Sequence, residues 1–309
     1  MYTTKFSVSA PRNFSFWRTV FSHGWCSLPP FKVDKERHTF ERLLELRDGT
    51  LVHCVMRETS TGFRVQAQSG KPLGDSQKKE MRDQLRACMR LGDDMAPFYA
   101  EARKQKPFRW VPRLGAGRML RAPTVFEDVV KMICTTNCSW ALTEITVENL
   151  TTKLGKQFNP AVDGAGGAEY SFPTPTALAS ATEKFLRKEI RSGYRSPYLL
   201  ELAENVASGK RNLESWRTST LPTEELFKEV RSVKGMGDYA AGNIMRLLGR
   251  YDYLGLDSWV RAQYYTLHKQ GRKVGDKTIE RHYAPHGKWK GLFFWLDMTK
   301  AWYDHQFPF

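Results

Sequence analysis

The chain has 309 residues, 41% of them hydrophobic and 26% charged, which describes a soluble globular protein with room for one large domain or two smaller ones. Its formal charge of +15 is spread along the sequence, so the basicity belongs to the folded body and not to a separate tail. A summed field of that sign favours nucleic acid as partner, ahead of an acidic membrane surface. No apolar run approaches the roughly 18 residues of a spanning helix, and Met1 to Trp17 lacks the sustained apolar stretch of a secretory signal. The five cysteines, Cys26, Cys54, Cys88, Cys134 and Cys138, are odd in number and scattered. They argue for a reducing compartment, hence for the cytoplasm and its nucleoid, or for the nucleus in a eukaryote.

The expected fold class is α+β. Residues 1–108 are expected to form a mixed α/β domain with an antiparallel sheet, and residues 109–309 a helical region. In the first part, 51–56 and 62–67 read as strands around the turn-rich Glu58-Thr59-Ser60-Thr61-Gly62, and Ser76 can cap a helix that buries Met81, Leu85, Cys88 and Met89. Phe126, Val129, Val130 and Ile133 then form a helical stripe leading into Cys134-Thr135-Thr136-Asn137-Cys138-Ser139, with a second helix from Trp140 towards Leu154. The glycine- and proline-rich stretch from Pro160 to Pro175 reads as a surface crossing. Short helices are expected near 176–181 and 183–191, and longer ones around Leu199–Val206, after Pro222, and over 259–267, 276–283 and 292–303.

The most informative segment is Ser232-Val233-Lys234-Gly235-Met236-Gly237-Asp238-Tyr239-Ala240-Ala241-Gly242. Gly235 and Gly237 lie in a short turn between two apolar-periodic segments, as in a helix-hairpin-helix. The amides of that turn and of the next helix can hold a phosphate, with Lys234 adding charge beside them. Asp238 is the expected cap of that helix. Asp257 follows Tyr239 by eighteen residues, in Leu256-Asp257-Ser258-Trp259-Val260-Arg261. It can cap the helix that starts behind it. If it faces a cleft, it can instead stabilise positive charge as an N-glycosidic bond breaks, or orient water for attack on the sugar.

With these residues in view, 233–242 and 256–261 resemble the helix-hairpin-helix and following aspartate of the HhH-GPD DNA glycosylases. Leu120-Arg121-Ala122-Pro123, Ile133-Cys134-Thr135-Thr136-Asn137 and Gly193-Tyr194-Arg195-Ser196-Pro197-Tyr198 are similar to stretches of the 8-oxoguanine branch. The resemblance covers about residues 109 to 305, and the N-terminal part is similar to those of the alkylpurine (3-methyladenine glycosylase II) and 8-oxoguanine enzymes. It implies that Gly235 and Gly237 bind DNA backbone, that Asp257 is the essential carboxylate, and that Asn137 fills the gap left by a flipped nucleotide or contacts the opposite base. The position of the lysine that bifunctional members use for a Schiff base holds Tyr239 here, so a monofunctional enzyme acting in base excision repair is expected. The four cysteines of iron-sulfur relatives have no counterpart.

Trp25, Trp140, Tyr194, Tyr239, Trp259 and Trp295 are candidate walls for a base pocket, Trp140 and Tyr239 foremost because they adjoin the motifs. Arg246 and Arg250 are candidates for phosphate contact beside Lys234. Pro285 interrupts the His282/His286 pair, Cys134 and Cys138 are better suited to a core than to a metal, and no metal or redox cofactor is required. A monovalent cation on the hairpin carbonyls remains open. The expected substrate is damaged double-stranded DNA with an alkylated purine, bound by a monomer that uses no membrane. The alternatives are removal of 8-oxoguanine, or structure-specific DNA binding without catalysis.

Overall fold

The computed structural model describes residues 1–159 and 168–304. Five antiparallel strands, β1 (Tyr2–Ser9), β2 (Phe31–Asp34), β3 (Thr39–Glu45), β4 (Leu51–Thr59) and β5 (Gly62–Ser69), form a sheet in the order β1-β5-β4-β3-β2. Alternation sets its register. Cys54 opposite Ala67 and Met56 opposite Val65 all face the core, as do Phe40 and Leu44. The β4–β5 hairpin matches the two strands expected from the sequence, which predicts none of the other three. A short helix, α1 (Phe16–Val20), fills the connection from β1 to β2.

The rest is helical: α2 (Asp75–Cys88), α3 (Ala96–Lys104), α4 (Trp110–Leu114), α5 (Val125–Thr135), α6 (Trp140–Leu154), α7 (Pro175–Ala179), α8 (Glu183–Lys188), α9 (Ser196–Ala207), α10 (Thr223–Arg231), α11 (Asp238–Leu248), α12 (Ser258–Lys269), α13 (Asp276–Tyr283), α14 (Lys290–Met298) and α15 (Lys300–Asp304). The α+β class and the long helices stand as the periodicity predicts. Two details differ. Ser76 sits inside α2, whose cap is Gly74 with Gln77 reaching back to its amide. The expected crossing from Pro160 holds a strand near its end: Gln157–Phe158 (β6) pairs with Glu169–Tyr170 (β7). Residues 160–167 of that stretch lie outside the described residues.

One apolar cluster runs from Val8 on β1 to Tyr303 on α15, so sheet and helices share a core. Residues Val125 to Cys134 of α5 are all buried, and its charged groups must therefore be paired. Arg42, which faces the core from β3, forms a two-pronged ion pair with Glu127 at 3.1 and 2.6 Å. Lys131 reaches the same carboxylate at 2.7 Å and the Leu28 carbonyl at 3.2 Å. Burial opposes the Glu127 charge, but the two cations outweigh it and hold its pKa below the usual range. Glu127→Gln leaves two buried cations without their counterion, and a loss of about 3–5 kcal/mol is expected in denaturant unfolding. A change below about 1 kcal/mol would mean that the triad does not hold α5 to the sheet.

Candidate active site

The segment between α10 and α11 forms a tight turn. Gly235 has φ +86°, and a Cβ there would come within 2.9 Å of the Tyr198 ring, so both conformation and space require glycine. Gly237 differs. Its φ is −75°, a Cβ would meet nothing within 4 Å, and it caps α11 without a side-chain acceptor for the first amides. Asp238 is not that cap: it is the first residue of α11 and pairs with Arg231 at 3.0 Å. Lys234 is exposed and pairs with Glu201 at 2.5 Å, a contact weak enough in water to be exchanged for a phosphate. A cavity of about 530 Å³ lies on this side, lined by Lys234, Gly235, Gly237, Asn137, Tyr194 and Tyr239. Asn137, in the left-handed region at φ 47°, donates to the Tyr194 hydroxyl at 3.2 Å, and Arg195 anchors the Thr136 carbonyl beside it.

Tyr239 also lines a second cavity of about 560 Å³, a volume suited to one small ligand. Asp257 lines it from the start of α12, where Oδ1 accepts the Val260 amide at 2.8 Å. The aspartate thus both caps its helix and faces the cavity. Its loop is held by α11: a Cβ on Gly242 would come 3.0 Å from the Gly255 backbone, so a larger residue would push the loop outward. Asn243 donates to the carbonyls of Tyr239 at 2.8 Å and Gly255 at 3.4 Å. Arg246, 1% exposed, donates to Asn243 Oδ1 at 2.7 Å and to the Leu254 carbonyl at 2.5 Å, with its guanidinium 5.1 Å from the Trp295 ring centre. Burial lowers its pKa to about 10, and Tyr239, Tyr251 and Asp257 pull the other way, so it stays cationic at neutral pH.

No family model matches the chain. The probable N-glycosylase/DNA lyase of Methanothermobacter thermautotrophicus is 22% identical over 278 residues, covering 83% of each chain. The 3-methyladenine DNA glycosylase from Archaeoglobus fulgidus matches 98% of this chain and 99% of its own, with TM-score 0.69 and 19% identity. The apo-form 8-oxoguanine glycosylase/lyase of Clostridium acetobutylicum matches 96% of this chain and 98% of its own, with TM-score 0.70 and 19% identity. The fold is that of the HhH-GPD glycosylases.

Within this HhH-GPD fold the residues singled out from the sequence fall around two adjoining cavities. Asp257, Tyr239, Trp25, Trp140, Trp259 and Trp295 line the larger one. Asn137, Tyr194, Lys234, Gly235 and Gly237 line the other. Two expectations are corrected. Arg246 is too deeply buried to meet a phosphate, and Arg250 is engaged with the Ser219 carbonyl at 2.8 Å. Cys134 is buried as expected, whereas Cys138 is half-buried and lines the larger cavity.

Sequence reasoning missed Trp302, Asn243 and His23. The first lies near the end of the described chain and the second has no pattern to mark it. His23 comes from the sheet region, more than 200 residues from Asp257. Its Nε2 lies 2.6 Å from the Leu120 carbonyl, which can only accept, so that nitrogen carries the proton. Gly24 gives Trp140 room at the cavity mouth: a Cβ there would come within 2.4 Å of the indole. The Trp25 indole donates to Asp128 at 2.8 Å, fixing that wall.

Among the described residues, Glu41, His53 and Glu169 are grouped closely enough to hold a metal ion, and they lie in the sheet region. The hairpin, whose carbonyls are the cation candidate in the sequence, contributes none of them. No helix of the described residues is long and apolar enough to cross a membrane.

Burial lowers the His23 pKa from 6.5 to about 4. Between these values the unfolded chain binds a proton that the folded chain refuses, so this contribution is complete above pH 6.5 and lost on acidification towards pH 4. Asp128, raised by burial to about 6, has the opposite slope, but it is common to the wild type and any His23 variant. Unfolding free energies of His23→Gln should therefore fall less steeply from pH 6.5 to 4, by up to about 3 kcal/mol. Parallel curves would show that His23 is not held neutral.

The hairpin generates a separate expectation. Gly237→Ala meets no neighbour and no backbone strain, so its melting temperature should match the wild type. If the backbone itself meets DNA there, duplex binding should fall about tenfold or more. Unchanged binding would remove Gly237 from the interface.

Proposed function

We propose that the protein is a monofunctional DNA N-glycosylase that excises a damaged purine by hydrolysis during base excision repair. The observation that carries this reading is Asp257 in the wall of an aromatic cavity whose described lining residues include no lysine. The turn with Lys234, Gly235 and Gly237 would hold backbone phosphate, and Asn137 beside Tyr194 would occupy the gap or meet the opposite base. The base would enter between Trp140, Trp25, Trp259 and Tyr239.

Asp257 would then stabilise the positive charge that develops on the sugar and orient water at its anomeric carbon. Burial keeps the Tyr239 phenol above its usual pKa, so it is neutral and offers no amine for a Schiff base. Hydrolysis leaves an abasic site in an uncut strand. The firm hold on the loop before α12 fits this role: a charge that acts on the sugar must be in position before the bond breaks.

An alkylated purine is the leading substrate, because several indole faces can stack on an electron-poor or cationic ring. Arg246 favours a second reading. A cation in the same wall repels a cationic base and helps a neutral oxidised purine, such as 8-oxoguanine, depart as an anion. Matched duplexes carrying either lesion decide between them.

Base release with cleavage appearing only after alkali is expected, reduced about 10²–10³-fold in Asp257→Asn. Borohydride should trap no covalent adduct on an abasic duplex. An adduct, or strand cleavage before alkali, would overturn the monofunctional reading. Tight binding with no release from either lesion would favour a DNA-binding protein without catalysis.

A further inference from the structure

The face of the sheet opposite the main core carries a second polar centre. Glu41 on β3 and His53 on β4 are diagonal neighbours there, since Glu41 pairs with Val55 and Leu43 with His53. The β6–β7 hairpin lies over this face and brings Glu169 to the same point. His53 Nε2 is 3.3 Å from Glu41 Oε2 and 3.1 Å from Glu169 Oε2, and the ligand atoms of all three residues lie within 4.8 Å of one another.

The imidazole is 1% exposed; Nδ1 has no partner, and Nε2, though flanked by both carboxylates, makes no well-aligned hydrogen bond to either. Both carboxylate oxygens are near Nε2 but off the axis along which an N–H would donate. A protonated ring shared between the two glutamates would put at least one oxygen on that axis. Converging lone pairs suit a cation placed between the three atoms. At metal–ligand lengths of about 2.0–2.1 Å, neighbouring tetrahedral ligands stand about 3.3 Å apart, close to the two spacings seen here.

We propose that Glu41, His53 and Glu169 form a divalent transition-metal site of the zinc type, separate from the glycosylase cavity. One imidazole nitrogen and two carboxylate oxygens would leave a fourth position for water, reached from the Glu169 side, which is the most exposed of the three. Two carboxylates balance the charge of the ion. Thr39 Oγ1 donates to Glu41 Oε1 at 2.9 Å, leaving Oε2 to face the centre. Lys32, 3.8 Å from Glu169 Oε1, sits at the rim and does not fill the centre.

The ion would pin β6–β7 to the sheet. It would add to the contacts of Glu45, which meets Lys156 at 2.6 Å and Ser171 at 2.9 Å, and of Lys32 with Glu169. Its role is structural, and it takes no part in the proposed hydrolysis.

The test uses the full chain, freed of metal with a chelator and titrated with Zn²⁺ by calorimetry. Metal content is then measured after gel filtration, and melting temperature with and without Zn²⁺. One equivalent bound with a raised melting temperature is expected. Glu41→Gln and Glu169→Gln should each bind at least about tenfold more weakly and lose the shift. Glu169 is partly exposed, so its isosteric variant keeps the fold testable, and circular dichroism checks it.

Co²⁺ in place of Zn²⁺ should show a spectrum without thiolate charge transfer, as expected of nitrogen and oxygen ligands. Failure of the wild type to retain Zn²⁺, equal binding by either variant, or a thiolate band would overturn the assignment. None of these outcomes bears on base release, which is read separately.

Discussion

The arrangement depends on a single buried carboxylate. Glu127 is shared by Arg42 from the sheet and Lys131 one helical turn along α5, all three almost wholly removed from solvent. Each charge alone would be prohibitive in that interior. Together they hold α5 against β3 with a geometry that a purely apolar contact would not specify. The same helix carries Asp128, which receives the Trp25 indole and the Ala122 amide, each at 2.8 Å. Its C-terminal end delivers Met132 and Thr135 to one cavity and, just beyond, Asn137 to the other. Anchoring α5 therefore positions the sheet-derived wall and the hairpin-side residues at once.

The second organising device is steric. Gly242 and Gly255 bring α11 and the loop before α12 into backbone contact, and Asn243 and Arg246 then saturate that loop's carbonyls. Asp257 is held as a cap at the point where the loop becomes α12. A cap and a cavity-facing carboxylate are usually weighed as rival explanations of an aspartate. Here one oxygen serves the helix while the residue still lines the cavity, and the cap is what fixes its direction. Arg246 contributes charge as well as structure: it is buried in the same cavity wall and feels the Asp257 carboxylate, which helps to keep it cationic.

How much of this was legible in the chain depended on sequence separation. The helix pair around Gly235 and Gly237, the stripe of α5, and the span Trp140–Leu154 were readable because periodicity and turn chemistry are local. Strands β1, β2 and β3 were not, since β1 pairs with β5 across most of the sheet region and its alternation is weak. The sequence alone places Arg246 among the DNA contacts, because a basic residue near a basic turn has no local mark of burial. Only the packing of Trp295 and Leu254 around it shows that it belongs inside.

By itself the sequence determined the α+β class, the hairpin, Asp257 as the carboxylate of interest, and the absence of an amine at Tyr239. Each of these rests on residue type at a short spacing. Tertiary structure alone decided which aromatics share a cavity, that His23 and Trp25 come from the sheet to complete it, that Tyr194 belongs to the hairpin side, and that Glu41, His53 and Glu169 meet. The physical reason is the same in each case. Such groups are brought together by burial and by long-range hydrogen bonds between segments far apart in the chain, and no local pattern records where two distant segments will touch.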